Sequence, residues 1–292
     1  MAAGADLSFV NLGITVDHMV KSFNIGSFSV AFYGLIIAIG MMCGILMAQA
    51  DGKRRGQDPE IYLDFAIYGI LFAILGARIY YVIFQWGYYK ENLTEIINLR
   101  KGGLAIYGGI IGGILTLYVF AKKKGLSFLS MADSVVLGLV TGQIIGRWGN
   151  FFNCEAFGGF TDGLFAMRIK RSIVSESMIS RELIDNLIVE NGVEYIQVHP
   201  TFLYESLWNV GVLLFMLWYR KRKKFDGEML LIYFTGYGIG RAWIEGLRTD
   251  SLLVPGTGLA VSQLLSIVLA AVSLAILFYR HRQEAKKREG NS

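Results

Sequence analysis

Seven stretches of the chain are apolar for about twenty residues at a time, roughly 28–50, 60–85, 102–121, 131–153, 200–219, 228–246 and 259–279. As a helix rising 1.5 Å per residue, each spans the ~30 Å of a bilayer's hydrocarbon core. The fourth departs most from the pattern, because polar residues fill its far end. One interruption is sizeable, the segment 155–199, which has seven acidic and four basic residues and short apolar stretches such as Leu183 to Val189. It reads as a small extracytoplasmic cap inserted between spans four and five, too short for a large core of its own. The pattern therefore predicts an all-α integral membrane protein, a single transmembrane domain over residues 1–292 with that one insertion.

Composition agrees with this reading. Of 292 residues 54% are hydrophobic and only 17% charged, with a mean hydropathy of +0.47, where a soluble domain carries about a quarter charged residues. The net charge of +5 would suit nucleic acid, but its distribution argues against that partner. Segments 51–59, 122–130, 220–227 and the tail from Arg280 hold 16 of the 28 lysines and arginines, and the alternate segments hold 9. By the positive-inside rule the N-terminus lies outside and the C-terminus is cytoplasmic. The loop 86–101 is a blemish, with Lys90, Arg100 and Lys101 on the nominally outer side. The first 27 residues lack a basic start, apolar core and cleavage site, so no removable signal peptide is expected and span one serves as the insertion signal.

Three basic residues remain inside spans: Arg78, Arg147 and Arg241. Such charges are costly in lipid and face a protein interior or a polar cavity, unless they snorkel to head groups from a helix end, an equal alternative for Arg78. Arg147 opens the most unusual stretch of the chain, Gly146-Arg147-Trp148-Gly149-Asn150-Phe151-Phe152-Asn153-Cys154-Glu155 with Gly158 beyond it. On the expected topology it lies level with Tyr33, Tyr107, His199, Tyr204 and Glu205, and with Tyr237, Arg241 and Glu245, which share one face of span six at i, i+4, i+8. A transport path would line both halves of the membrane, whereas here the inner half is nearly bare apart from Asp64. The asymmetry points to chemistry reached from the outer leaflet. Guanidinium groups at that depth suit a lipid phosphate, Asn150 and Asn153 can donate to ester or phosphate oxygens, and Glu155 and Glu245 can orient the arginines or take a proton. The competing reading is an Arg–Glu pair that only fixes packing.

Other chemistry finds little support. Three separated histidines, His18, His199 and His281, give no metal-ligand spacing, and no phosphate-binding loop or G-x-S-x-G elbow is present, so neither metal nor cofactor is expected. Cys43 and Cys154 make no disulfide framework. Cys154 has no neighbouring histidine to activate it as a nucleophile. The run Gly102 to Gly113 reads as close helix packing at small residues. The Tyr-Gly pairs at Tyr33, Tyr68, Tyr107 and Tyr237 are too irregular for a repeat.

At Gly146–Gly158 the chain resembles the prolipoprotein diacylglyceryl transferases of bacterial membranes, whose signature is G-R-x-G-N-F-x-N-x-E followed by a glycine. The likeness extends to Phe32-Tyr33-Gly34, Gly76-Ala77-Arg78, Gly102-Gly103 through Gly108-Gly109, His199-Pro200-Thr201, Leu203-Tyr204-Glu205, and Tyr237-Gly238 with Arg241, Glu245 and Arg248. It implies a multi-pass plasma-membrane enzyme without cofactor, which moves the diacylglyceryl group of phosphatidylglycerol to the lipobox cysteine of a prolipoprotein signal peptide and releases glycerol phosphate. Catalysis would then fall to Arg147, Arg241, Glu155 and Tyr107. Substrate binding would fall to Arg147, Asn150, Asn153, Gly158, Tyr33, Tyr237, Glu245 and Arg248. Some members have histidine where this chain has Tyr107, and a phenol of pKa about 10 is a poor base near neutrality. Cys154 falls at a free position of the signature. Two rivals remain at this point: an anion or lipid-phosphate transporter with the arginines as its selectivity element, and a membrane scaffold.

Overall fold

The computed structural model describes residues 4–99, 102–254 and 256–289; Arg100 and Lys101 of the basic outer loop lie outside the described residues. Every apolar stretch forms a helix: α1 Phe32–Arg54, α2 Glu60–Phe84, α3 Ile106–Lys123, α4 Phe128–Asn153, α5 Thr201–Tyr219, α6 Glu228–Glu245 and α7 Val261–Glu289. Six are long and apolar enough to cross a membrane. The other, α6, carries Glu228, Arg241 and Glu245 within 18 residues, too many charges to qualify by composition alone. Cations close the last turns of α1 (Lys53, Arg54) and α3 (Lys122, Lys123), where they meet the negative end of the helix dipole.

The chain divides into two compact units, Ile45–Gly138 and the pair Met1–Gly44 with Leu139–Ser292. In the first, α2 and α3 press backbone to backbone. A Cβ at Gly76 or at Gly108 would overlap the other's carbonyl oxygen, and one at Gly112 would overlap that of Phe72. Close approach of this kind is what small residues provide in membranes, where dispersion replaces the hydrophobic drive. Gly102 and Gly103 serve differently, with φ of 80° and 79° turning the chain into α3.

That turn is held by Arg78. Buried on α2, its guanidinium donates to the carbonyls of Glu95 (2.6 Å), Ile96 (2.8 Å), Asn98 (3.2 Å), Gly102 (2.9 Å) and Gly103 (2.8 Å), and it lies 5.2 Å from the Tyr89 ring centre. It neither snorkels nor faces a ligand; it satisfies the loop that joins α2 to α3. Toward the other ends of the helices, Asp51 accepts from Ser134 (2.8 Å) and Arg54 (3.0 Å), Arg55 donates to Ser130 and Ser134, and Asp64 pairs with Lys124 at 3.0 Å. That half of the membrane is thus not bare. Its polar groups gather near helix ends, Asp51 and Arg55 in a stretch read as a loop and Asp64 and Ser134 just inside the spans.

The other unit adds strands to the expected all-α plan. β1 Leu7–Phe9, β2 Ile14–Val16, β5 Met167–Lys170, β6 Ile188–Glu190 and β7 Val193–Val198 form an antiparallel sheet ordered β2-β1-β5-β7-β6. The hairpin β3 Ser22–Ile25 and β4 Phe28–Ala31 leads straight into α1. The insertion lacks enough apolar residues for a core and borrows them, with Leu7 from β1, Cys154 beyond α4 and Phe202 from α5 packing on Met167, Ile169, Ile196 and Val198. Strands of three to six residues leave too little alternation to read from sequence.

Arg78→Leu strands five carbonyls and should cost at least about 3 kcal/mol, since hydrogen bonds to a charged group contribute ~1.5–3 kcal/mol each. A thermal melt in detergent unchanged from wild type would contradict this role.

Candidate functional site

The site is built at the end of α4. Gly40 of α1 and Gly142 of α4 meet within van der Waals contact, and Gly149 leaves room for the Tyr33 ring, which a Cβ would reach at 2.9 Å. Gly149 thus lets the tyrosine ring pack directly against the last turn of α4, which carries Asn150 and Asn153. The helix then stops in a Schellman motif. The Glu155 N–H donates to the Asn150 carbonyl (3.1 Å) and the Cys154 N–H to that of Phe151 (3.1 Å). Cys154 holds the left-handed position at φ 53°, where glycine is usual and other residues are strained. This reversal folds Glu155 back onto its own helix, so that Asn150 Nδ2 donates to its Oε1 at 3.0 Å.

The arginines converge on a residue to which sequence reasoning gave no role. Arg147 Nη2 lies 2.7 Å from Glu205 Oε1, and Arg241 Nη1 donates to Glu205 Oε1 and Oε2 at 3.0 and 3.1 Å. Glu205, on α5, is 3% exposed in its side chain, while Arg147 is 21% and Arg241 14%. Arg241 Nη2 also pairs with Glu245 one turn along α6, and Glu245 Oε1 accepts from Ser251 (2.8 Å) and Ser262 (2.5 Å). Arg147 hydrogen-bonds the Tyr237 hydroxyl as well. Two cations thus alternate with two carboxylates across three helices. Of the two parts open to Glu155, orienting an arginine or taking a proton, the first falls at Arg147 to Glu205 instead. The sequence signal was the depth of Glu205 beside Tyr204, read only as the opening of span five.

A second polar layer lies one turn along the same helices: Gln143 four residues before Arg147, Asn209 four after Glu205, and Tyr233 four before Tyr237. Gln143 Nε2 donates to the Tyr233 hydroxyl at 2.8 Å, and Ser206 Oγ to the Ile144 carbonyl at 3.0 Å. Among the described residues both side-chain polar atoms of Asn209 are buried without a partner.

Gly158 belongs to the frame of the site. Its N–H donates to the His199 carbonyl (2.9 Å), the Gly159 N–H to Leu247 (2.9 Å), and the His199 N–H to Gly159 (3.0 Å), while Gly158 also bridges Arg248. A Cβ there would stand 2.7 Å from the Leu247 oxygen. Arg248 in turn clasps Asp250 with both arms at 2.9 and 2.8 Å. Burial alone would raise the Asp250 carboxyl, yet this fork holds it below the usual range. Burial lowers the His199 imidazole, leaving it neutral beside the Tyr204 hydroxyl at 3.3 Å. Asn153 is the last residue of α4 and makes no side-chain hydrogen bond among the described residues. Tyr107 stands in the first turn of α3, within the Ile45–Gly138 unit, 40% exposed.

Cys154 is a core side chain, 3% exposed, and burial raises its thiol to about 11. On the order of 0.1% is thiolate at pH 8, so a water-soluble maleimide should leave folded protein unlabelled at Cys154; rapid labelling would contradict its burial. Asn209→Leu should hold or raise the melting temperature, because an unpartnered buried amide costs about 1–3 kcal/mol; a marked loss would show that the amide has a partner essential to the fold.

A family model for prolipoprotein diacylglyceryl transferase matches residues 21–279. Similar proteins bearing the name phosphatidylglycerol--prolipoprotein diacylglyceryl transferase include that of Clostridioides difficile, 42% identical over 85% of this chain and 89% of its own length. That of Bacillus licheniformis is 43% identical over 89% and 91%, and that of Listeria welshimeri 44% identical over 87% of each. With a match that long, and with its arginines gathered at the end of the signature helix, this chain belongs to the prolipoprotein diacylglyceryl transferase family.

Proposed function

We propose that this membrane protein transfers the diacylglyceryl group of phosphatidylglycerol to the lipobox cysteine of a prolipoprotein, from seven spans with the N-terminus outside and the C-terminus in the cytoplasm. One observation carries the reading beyond family membership. Arg147 and Arg241 both reach the same oxygen of Glu205, so one phosphate can reach both guanidiniums. The density of Lys and Arg on the segments between α1 and α2, α3 and α4, α5 and α6, and after α7 supports the orientation.

In the reaction the substrate thiol loses its proton, the sulfur attacks the glyceryl carbon that bears the phosphate, and a C–S bond forms as the C–O bond breaks. The electron pair leaves on oxygen as glycerol phosphate. Negative charge therefore grows on a phosphate already held by cations, and donors fixed in advance stabilise that growth more than the ground state. Each guanidinium has five N–H donors. Arg147 spends few on Glu205 and Tyr237, and offers the rest as a fork.

The remaining roles follow from position. Glu205 holds the two arginines side by side, and Glu245, braced by Ser251 and Ser262, keeps Arg241 turned toward them. Asn150, Asn153, Tyr33 and Tyr237 line the approach to Arg147 and supply hydrogen bonds to the head group and ester oxygens. Gly158 and the Arg248–Asp250 clasp fix the backbone beside the site. Glu155, which has no cation partner among the described residues, accepts the thiol proton. By the family resemblance Tyr107 would act as a hydrogen-bonding hydroxyl and not as a base.

Purified protein with phosphatidylglycerol and a lipobox peptide should yield the diacylglyceryl adduct by mass; no adduct under conditions that keep the protein folded would sink the proposal. Arg147→Ala should slow transfer by about 10²–10³-fold, the loss typical of one fixed donor to developing charge, with Lys restoring part of it. Glu155→Gln should leave a slower rate that climbs with pH toward the free thiol pKa of about 8.5, and a rate unchanged at every pH would remove Glu155 as the proton acceptor. Tyr107→Phe at full rate, in the same assay, would exclude any role for its hydroxyl.

A further inference from the structure

From the level of Trp208 and Gly236 toward His281, α5, α6 and α7 bound an apolar groove of about 590 Å³. That size lies within the roughly 300–1,000 Å³ typical of ligand sites. Its walls include Trp208, Gly211, Val212, Phe215, Leu274 and Leu277. Phe215 and Leu274 are exposed, so the groove opens sideways to where lipid tails run. Nothing lies within 4 Å of a Cβ at Gly211, which keeps the floor clear.

One end of the groove is polar. Glu228 is fully buried there and accepts from the Tyr219 hydroxyl (2.6 Å), His281 Nε2 (2.6 Å) and the Lys224 N–H (2.5 Å). With its Nε2 proton given to Glu228, His281 accepts at Nδ1 from Lys224 Nζ, 3.2 Å away. This chain anchors the Lys224 ammonium beside His281, which lines that end of the groove, with one of its three donors used. The Arg222 guanidinium lies 4.1 Å over the Trp218 ring, itself packed on Phe215 of the groove wall. Neither Lys224 nor Arg222 has a carboxylate partner among the described residues.

An apolar groove within the membrane, with two cations lacking a direct carboxylate partner near its polar end, matches an amphiphile with an anionic head and a hydrocarbon tail. We propose that this groove binds one anionic phospholipid of the surrounding bilayer, with an acyl chain along Gly211 and Phe215 and its phosphate on Lys224 and Arg222. The site is separate from the arginine pair and does not depend on the transferase reading.

Full-length protein in detergent, titrated with phosphatidylserine and with phosphatidylcholine, tests it through thermal stability. Phosphatidylserine should raise the melting temperature by several degrees, as a ligand of the folded state does, and phosphatidylcholine should not. Gly211→Phe, which fills the groove, and Lys224→Gln should each weaken the titration about tenfold or more, while Arg147→Ala leaves it unchanged. Equal shifts with both lipids, a full shift in both groove variants, or a shift lost only in Arg147→Ala would overturn the proposal. Should Gly211→Phe fail to fold, Lys224→Gln still decides. Failure of the transferase reading would appear in the peptide assay and leave this titration untouched.

Discussion

A carboxylate taken out of water costs several kcal/mol unless partners replace its hydration, and Glu205 is buried between two guanidiniums that do so. Remove it, and Arg147 and Arg241 become two like charges facing each other within the membrane. Remove either arginine, and the carboxylate loses half its compensation. The rest of the site accommodates this constraint. Glu245 balances the second cation and accepts from two serine hydroxyls, and Tyr237 lies on the remaining side of Arg147. The glycines of α4 admit the Tyr33 ring that covers the turn above. A neutral alternation of charges is also what allows the site to accept an anion. An incoming phosphate can share the arginine forks with Glu205 without creating an isolated charge, and the pull on it rises as its negative charge grows.

The end of α4 shows how backbone and chemistry are tied. A Schellman reversal with cysteine in the left-handed position is strained, and burial of that thiol among Phe157, Met167 and Phe202 over-determines it. The thiol that looked most tempting as a nucleophile is thus a packing group that turns Glu155 toward Asn150. Beyond it, Gly158 and Gly159 are threaded between His199 and Leu247 by backbone bonds, so the ends of α4, α5 and α6 are fastened to one another at the level where the arginines meet.

Much of this was legible from the chain. Twenty-residue apolar runs are forced into helices by unsatisfiable peptide groups in lipid, so all seven helices could be placed, within a few residues except for the end of α7, which runs on through its charged tail to Glu289. Three basic residues inside spans were enough to single out Arg147 and Arg241. Two kinds of feature were not legible. The sheet joins β1 to β5 across most of the chain, Leu7 opposite Ile169, and the short alternation of its strands carries no register. Partners were also misassigned across helices. Glu155 is near Arg147 in sequence and Glu205 is not, yet the helical turn reverses the first and the packing of α5 supplies the second. Arg78 shows the same limit, because its five carbonyl partners lie in a loop whose path no side-chain pattern reveals.

The account rests on one phosphate held by two arginines. The most direct measurement is the position of the phosphorus of a non-hydrolysable phosphatidylglycerol analogue in an experimental structure of the complex. The account predicts hydrogen bonds from both Arg147 and Arg241 to its oxygens, with Glu205 still touching at least one guanidinium. A head group bound elsewhere, with the Arg147–Glu205–Arg241 bridge intact and untouched, would contradict it.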